Sequence, residues 1–182
     1  MICLTFNCRG LANPDKRLAL KELLAQKPID ILFLQETLGD GISVTSLLNS
    51  LLPNWTFITL DAQGRLGGCI LGIKNRTTQM INCCSRSGVL GMEINYGNDV
   101  LPYSLINVYG PCTNREDFWL ALLNFSLINN PYTIMGGDFN FSLGISESWG
   151  ENDVLDPLAT FFSYALEAPN LIDLQLTKIQ PT

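Results

Sequence analysis

The sequence predicts an α+β domain built on a mixed β-sheet that is covered on both faces. Near the N terminus a strand pattern, a helix pattern and a second strand pattern follow one another, which implies a parallel pair of strands. Between residues 55 and 108 strand patterns follow one another with short turns, and such runs pair antiparallel. A mean hydropathy of +0.19 is typical of strands buried on both faces.

The first crossover is the clearest element of the sequence. Residues 2–6 form an apolar strand, after which Asn13 is placed to cap a helix over 14–27 that begins with a proline. Pro28 ends this helix, and the nearly continuous apolar run 29–35 predicts a second, buried strand. A strand, an amphipathic helix and a strand in this order predict a parallel pair.

The remaining elements are delimited by turn residues and by changes in hydrophobic periodicity. We expect helices near 41–52, 115–128 and 151–166, and strands near 55–60, 66–73, 79–84, 88–95, 101–108, 132–136 and 170–174. No internal repeat or linker is present, so residues 1–182 are expected to form a single domain. An open nucleotide-binding fold is the alternative, although neither of its phosphate-binding glycine motifs occurs.

Charge and composition exclude several classes of protein. The 182 residues include 11 Lys and Arg against 17 Asp and Glu, and the net charge of −6 has the wrong sign for binding nucleic acid through a basic surface. The chain contains 0 His, which removes the commonest general base, most catalytic triads and most zinc sites. Asp, Glu and Tyr therefore remain for proton transfer.

The location of the protein is predicted from its cysteines and from its apolar segments. The 6 Cys show no metal-ligand spacing, which predicts free, mostly buried thiols in a reducing compartment. The N terminus does not resemble a signal peptide. The uncharged stretch 118–137 is as long as a membrane span, but Asn129, Asn130 and Pro131 interrupt it. We expect an intracellular protein, nuclear or cytoplasmic, without a membrane partner; its protein partners are unknown.

Four of the apolar strand patterns end in a polar residue that offers an oxygen. These strand-end residues are Asn7, Glu36, Tyr109 and Asp138, with Asn140 two positions further on. Ligands bind where strand ends gather, so such residues can converge on one cleft. Because every strand has to end in polar residues, ordinary strand termination is the alternative, with turn chemistry for the two asparagines and a core aromatic for the tyrosine.

A set made of carboxylate, amide and phenol oxygens suits a hard cation. Mg²⁺ binds one or two carboxylates together with water and substrate phosphate. A metal held in this way lowers the pKa of a bound water, and a second carboxylate can take the proton of that water. The residue set therefore indicates hydrolysis of a phosphoester.

The strand-end motifs also resemble a known superfamily. The four motifs are Phe6-Asn7-Cys8-Arg9-Gly10, Leu34-Gln35-Glu36-Thr37, Asn107-Val108-Tyr109-Gly110-Pro111 and Gly136-Gly137-Asp138-Phe139-Asn140. In this order they resemble the first four motifs of the endonuclease/exonuclease/phosphatase superfamily. Together with Gly67-Gly68 and Asn170-Leu171-Ile172-Asp173-Leu174, they most resemble the apurinic-type endonuclease domain of plant non-LTR (LINE-type) retrotransposons.

The resemblance implies a fold, a cofactor and roles for the strand-end residues. It implies a four-layer α/β/β/α sandwich of two mixed β-sheets, Mg²⁺ or Mn²⁺ as cofactor, and DNA as the ancestral substrate. Glu36 would be the principal metal ligand, and Asn7 beside it would hold metal or phosphate. Tyr109 would support the phosphate, Asp138 would orient or deprotonate the attacking water, and Asn140 would hold Asp138 and the phosphate oxygens.

One departure from the superfamily bears on activity. Its members continue with a Trp-containing strand, a Ser-Arg-x-Asp-Arg type segment and a terminal Asp with His, whereas this sequence runs only to Thr182. We therefore expect a truncated domain without its last strands, and a Mg²⁺-dependent phosphodiesterase of the endonuclease type that is weak or inactive. The alternatives are a non-catalytic retroelement remnant or binding module, and a phosphatase acting on a small phosphoester.

Overall fold

The computed structural model describes residues 1–62, 67–144 and 155–174. These residues form eight strands and four α-helices. The strands are β1 (Cys3–Asn7), β2 (Ile31–Gln35), β3 (Trp55–Leu60), β4 (Cys69–Lys74), β5 (Thr78–Arg86), β6 (Val89–Tyr96), β7 (Tyr103–Tyr109) and β8 (Thr133–Asp138). The helices are α1 (Pro14–Gln26), α2 (Gly41–Leu51), α3 (Arg115–Leu123) and α4 (Ala159–Glu167).

The strands form two mixed sheets of four strands each, as the resemblance implied. The first sheet has the order β1-β2-β4-β3 and the second the order β5-β6-β7-β8. The pairs β1–β2 and β7–β8 are parallel, and the other neighbours are antiparallel. In each parallel pair both carboxyl ends lie at the same edge of the sheet. Asn7 is thereby paired with Gln35, and Tyr109 with Asp138.

Side chains point alternately to the two faces of each sheet, so each sheet packs against helices on one face and against the other sheet on the opposite face. Leu32 and Leu34 of β2 pack beneath α1 and α2, whereas their neighbours Ile31 and Phe33 face the second sheet. The opposite face of the second sheet is covered by α3 and α4, which contribute Trp119 and Phe162 to a third apolar cluster. The order of layers is therefore helices, sheet, sheet, helices, which confirms the α/β/β/α sandwich.

Most of the predicted elements are present within a few residues of their expected bounds. The first crossover is confirmed, because the Asn13 side chain accepts a hydrogen bond of 2.8 Å from the Asp15 N–H and α1 begins at Pro14. The helix expected over 115–128 ends at Leu123 and is followed by a short 3₁₀ helix, Ser126–Asn129. The Asn124 N–H turns back to the Leu122 carbonyl there, which ends the α-helical pattern.

Three predictions about the strands and helices need correction. β4 and β5 are consecutive but do not pair, because β4 lies between β2 and β3 in one sheet while β5 is the edge of the other. The strand expected over 170–174 is not formed, and Ile172 and Leu174 are exposed there. The helix expected over 151–166 begins at Ala159, and its first four predicted residues, 151–154, lie outside the described residues.

The cysteines are free, as expected, but they are not mostly buried. Only Cys8 and Cys69 are buried, whereas Cys3, Cys83 and Cys112 are exposed. The first two exposed thiols lie on β1 and β5, which are sheet edges with largely exposed side chains. In the described parts of the chain, no helix has the length and apolar character needed to cross a bilayer.

Candidate active site

The site lies where the carboxyl ends of the two parallel strand pairs meet. Asn7 ends β1, Glu36 follows β2, and Tyr109 and Asp138 end β7 and β8. The Asn7 side-chain amide donates a hydrogen bond of 2.8 Å to Glu36 Oε1 and another of 2.7 Å to Asp138 Oδ2. One amide group thus joins a carboxylate from each sheet.

The orientation of the Asn7 amide is fixed by the loop that follows it. Asn7 Oδ1 accepts a hydrogen bond of 3.1 Å from the backbone N–H of Arg9, so the NH₂ group faces the two carboxylates. The Lys16 side chain of α1 stabilises this loop by donating hydrogen bonds to the carbonyl oxygens of Cys8 and Arg9, at 3.1 Å and 2.5 Å. In this geometry Asn7 acts on the carboxylates as a hydrogen-bond donor.

Glu36 has an unusual backbone conformation. Its φ is +51°, a left-handed value that is costly for a residue with a Cβ and is rare outside Gly, Asn and Asp. The surrounding turn is fixed by hydrogen bonds from the Gly10 N–H to the Glu36 carbonyl, 2.7 Å, and from the Leu38 N–H to the Gly67 carbonyl, 2.8 Å. A Cβ on Gly67 would lie 3.0 Å from Glu36 Cα. Backbone strain of this kind concentrates at functional sites.

Tyr109 contributes a neutral hydroxyl to the same cleft. Burial, the negative charge of Glu36, a hydrogen bond to Glu36 and the charge of Asp138 together raise the pKa of Tyr109 to about 12. The phenol therefore keeps its proton at neutral pH and is a hydrogen-bond donor there. Its raised pKa also reports the negative potential that the two carboxylates create.

Asp138 is held from a second side by the loop that follows β8. Its Oδ1 accepts a hydrogen bond of 3.3 Å from the backbone N–H of Asn140, whose φ is +52°. The Asn140 side chain turns away and donates to the Gly110 carbonyl at 2.6 Å, and the Asn140 backbone carbonyl accepts from Arg115 at 3.1 Å. Asn140 thus contacts Asp138 through its backbone, whereas its side chain ties together the loops after β7 and β8.

The donor set fits a hard divalent cation such as Mg²⁺. Within residues 1–62, 67–144 and 155–174 the ion pairs join Met1 to Asp30 and Arg115 to Asp156, so neither Glu36 nor Asp138 has a cationic partner. The same residues contain no cluster of three or more His, Cys, Asp or Glu arranged for a metal. Two carboxylates completed by water and phosphate oxygens are nevertheless a usual Mg²⁺ environment.

Asn7 could bind a metal only if its side-chain amide were reoriented. Its nitrogen, which cannot bind a hard cation, faces the carboxylates, and its oxygen is engaged with the Arg9 N–H. To ligate a metal through oxygen, the amide would have to turn over and lose this hydrogen bond. Glu36 is the better placed of the two expected ligands.

A buried polar contact between the sheets was not assigned any function from the sequence. Gln35 Nε2 donates to Asn107 Oδ1 at 2.7 Å, and Asn107 Nδ2 donates to the carbonyls of Leu34 and Ile70 at 3.1 Å and 2.7 Å. Gln35 immediately precedes Glu36, and Asn107 lies two residues before Tyr109. The signal available in the sequence was an amide inside each of two otherwise apolar strand patterns.

The fold and the sequence identify the family of the chain. It belongs to the Endonuclease/Exonuclease/phosphatase family, whose model matches residues 4–156. No curated protein matches the sequence.

Solved structures with the same fold include several enzymes of nucleic acid metabolism. The endonuclease domain of TRAS1, a telomere-specific non-LTR retrotransposon, has 14% identity and a TM-score of 0.66 over 92% of this chain and 71% of that one. The AP endonuclease LMAP from Leishmania major has 16% identity and a TM-score of 0.67, over 92% of this chain and 66% of that one. The D. rerio TDP2 structure complexed with single strand DNA product has 16% identity and a TM-score of 0.61 over 77% of this chain.

The similarity covers only part of some of these structures. The chain spans 62% and 60% of the length of two TDP2 structures that it matches. Identities of this size show a shared fold.

Proposed function

We propose that this chain is a Mg²⁺-dependent phosphodiesterase domain of the endonuclease type, with DNA as its substrate. The observation that carries the proposal is the bridge from Glu36 through the Asn7 amide to Asp138, with Tyr109 beside it and no cationic side chain paired with either carboxylate among the described residues. The solved structures of a retrotransposon endonuclease domain and of an AP endonuclease support the choice of DNA.

The roles of the residues follow from their positions. Glu36 would hold Mg²⁺ or Mn²⁺, which when bound neutralises phosphate charge and lowers the pKa of a coordinated water. Asp138 has both oxygens oriented by Asn7 and Asn140, yet each oxygen keeps a free lone pair with which to accept a proton from the attacking water. Tyr109 would direct its single hydroxyl hydrogen to a phosphate oxygen in place of Glu36, and its raised pKa keeps that hydrogen on the phenol.

The ancestry and extent of the domain are part of the same proposal. We propose that residues 1–182 fold as one domain derived from a LINE-type retrotransposon endonuclease, as the motif set around Asn7, Glu36 and Asp138 implies.

The experiment measures nicking of supercoiled plasmid in MgCl₂ and in EDTA. It compares residues 1–182, a version extended by the later segment of the superfamily, and Glu36→Gln and Asp138→Asn variants of each. We expect the extended version to nick DNA only with Mg²⁺ and to lose about a hundredfold or more of this activity in both variants. Asp99→Asn is the matched control, because it also converts a carboxylate to an amide but lies in the turn between β6 and β7, where it accepts from the Tyr103 hydroxyl.

Two results would contradict the proposal in different ways. An extended version that does not cleave DNA with Mg²⁺, or that cleaves equally well without Glu36, would overturn the assignment and favour a non-catalytic remnant or binding module. Metal-dependent hydrolysis of a small phosphomonoester without DNA nicking would support the phosphatase alternative, which the net charge of −6 favours.

A further inference from the structure

A groove of about 360 Å³ opens beside the candidate active site. It lies between the turn that joins β5 to β6 and one face of α3. Apolar Val89, Phe118 and Leu122 form its floor, and Tyr109 and the acidic Asp117 also line it. Because the charge of Glu36 acts on the Tyr109 hydroxyl, the groove and the candidate active site share one side chain.

The part of the groove formed by Tyr109 is fixed by the close approach of the Gly88 backbone. Gly88 has a φ of +72°, and its carbonyl accepts a hydrogen bond of 2.7 Å from the Tyr109 N–H. A Cβ on Gly88 would lie 2.6 Å from the Tyr109 carbonyl oxygen and 3.2 Å from the Phe118 ring. Since only glycine fits there, the turn lies directly against both aromatic residues, and the groove has a preformed wall.

The rim of the groove carries a guanidinium with unused donors. Arg86 Nη1 donates a hydrogen bond of 3.2 Å to the Ala121 carbonyl across the groove. A guanidinium has five N–H donors, and no other bond of the Arg86 side chain is found within the described residues. By contrast, Arg115 forms a bidentate pair with Asp156, at 2.5 Å and 2.9 Å, and Lys16 is engaged by two carbonyls. Arg86 is thus a cation on this groove that can take an anion.

We propose that this groove binds the nucleotide next to the scissile phosphate, an inference that rests on the proposed function. A base has a flat apolar face that matches the floor of Val89, Phe118 and Leu122, and base contacts with aromatic side chains do not depend on sequence. A nucleic acid strand also places a further phosphate one nucleotide away, where Arg86 can bind it through paired N–H groups. A phosphomonoester of a small alcohol would offer neither the apolar face nor the second phosphate.

The test measures binding of a fluorescently labelled single-stranded dodecanucleotide in EDTA and low salt, where hydrolysis does not interfere. Ala121 lines the groove, so Ala121→Trp fills it, and we expect the dissociation constant to rise about tenfold or more. Leu120 is the neighbouring residue on α3, is 47% exposed and does not line the groove. Leu120→Trp is therefore the matched control, and we expect a change of less than about twofold.

A second pair of variants tests the rim without filling the groove. Arg86→Gln should weaken binding about fivefold and make it less dependent on salt, because one phosphate contact is lost. Arg76→Gln removes the same charge from the exposed turn between β4 and β5, away from the groove, and should leave binding almost unchanged.

The outcomes separate this inference from the proposed function. Equal binding by wild type, Ala121→Trp and Arg86→Gln would overturn the groove assignment even if Glu36→Gln abolished DNA cleavage. If Ala121→Trp lowers the melting temperature sharply, Ala121→Met and Arg86→Gln decide the matter. Weakened binding in the groove variants of a chain that never cleaves DNA would support the groove and count against the hydrolase. Glycerol phosphate competing as well as the oligonucleotide would overturn the nucleotide as occupant.

Discussion

Glu36 combines an unfavourable backbone conformation with a negative charge that has no cationic partner within the described residues. Its left-handed φ of +51° is maintained by backbone hydrogen bonds of the turn that contains Gly10 and Gly67. These bonds do not neutralise the charge of the carboxylate. Its hydrogen-bond donor is the Asn7 amide at 2.8 Å, which is neutral. The backbone strain and the unneutralised charge both disfavour folding. Both are useful in a carboxylate that has to be held in a fixed direction to bind a ligand.

The backbone strain at Glu36 can be measured by comparing two substitutions. Glu36→Gly and Glu36→Ala both remove the carboxylate, but only glycine adopts a positive φ without steric cost. We expect the glycine variant to be more stable than the alanine variant by about 1 kcal/mol in urea denaturation. At Ser46, an exposed residue of α2, the order should be reversed, with glycine less stable than alanine. Equal stability of the two Glu36 variants would show that the strain is absent.

The pKa of Tyr109 gives a second test of the local charge. Because it is raised to about 12 from the ordinary value of 10.0, the folded protein holds this proton where the unfolded chain has lost it. The associated stability is therefore complete below about pH 10 and is lost as the pH rises through the folded pKa. Absorbance at the tyrosinate wavelength, taken as wild type minus Tyr109→Phe, should show this ionisation near pH 12.

Glu36→Gln should lower the pKa of Tyr109 without restoring its ordinary value. The substitution removes the charge of Glu36, but burial, the largest cause of the shift, remains. An unchanged pKa in Glu36→Gln would contradict the direct contact between the two side chains.

The strand-end residues could be predicted from the sequence because each interrupts an apolar run at its end. Asn7, Glu36, Tyr109 and Asp138 all have this pattern, and parallel pairing brings such ends together. The direction of the Asn7 amide could not be predicted, because it depends on a hydrogen bond from Arg9 that only the folded loop provides. The catalytic and metal-binding roles of these residues stay predictions until they are measured.

The bounds of a strand or helix could be predicted from local sequence where a capping residue or a proline marks them. Asn13 and Pro14 begin α1 as expected. Periodicity does not indicate which sheet a strand joins, and so the sequence predicts antiparallel pairing of β4 with β5, where the chain passes from one sheet to the other. Non-local pairing of this kind depends on the apolar faces of both sheets together.

The contact between Gln35 and Asn107 links β2 to β7 just before both strands reach the site. Both residues are buried, and each amide satisfies the other or a backbone carbonyl. We expect Asn107→Ala to cost about 2–3 kcal/mol, because buried donors and acceptors are left unpaired. In a double-mutant cycle with Gln35→Ala, the coupling should be about 1 kcal/mol or more in urea denaturation.

A second buried hydrogen bond on β7 provides the control for this cycle. Ser104 is also fully buried, accepts a hydrogen bond of 3.0 Å from Asn130, and lies three residues before Asn107. Combining Ser104→Ala with Gln35→Ala should give nearly additive losses of stability. Coupling of equal size in both cycles would mean that Gln35 and Asn107 do not interact specifically.

The two sheets of the molecule meet in a way that concentrates negative charge. Each sheet delivers a carboxylate, Glu36 or Asp138, to the same edge, and the Asn7 amide joins them. The overall charge of −6 adds to this potential rather than opposing it. Like charges brought together destabilise the folded chain unless a cation binds between them.

A bound cation should therefore stabilise the whole fold, and this effect can be measured without any substrate. At a Mg²⁺ concentration about ten times the dissociation constant, the folded state gains about 1.4 kcal/mol, which for a chain of this size raises the melting temperature by about 3–5 °C. Glu36→Gln should abolish the rise, whereas Asp99→Asn, whose carboxylate accepts from Tyr103 at 2.9 Å, should retain it. NaCl at equal ionic strength corrects for general screening. A rise of the same size in Glu36→Gln would place the cation elsewhere on the molecule, and no rise in wild type would count against a metal site between the two sheets.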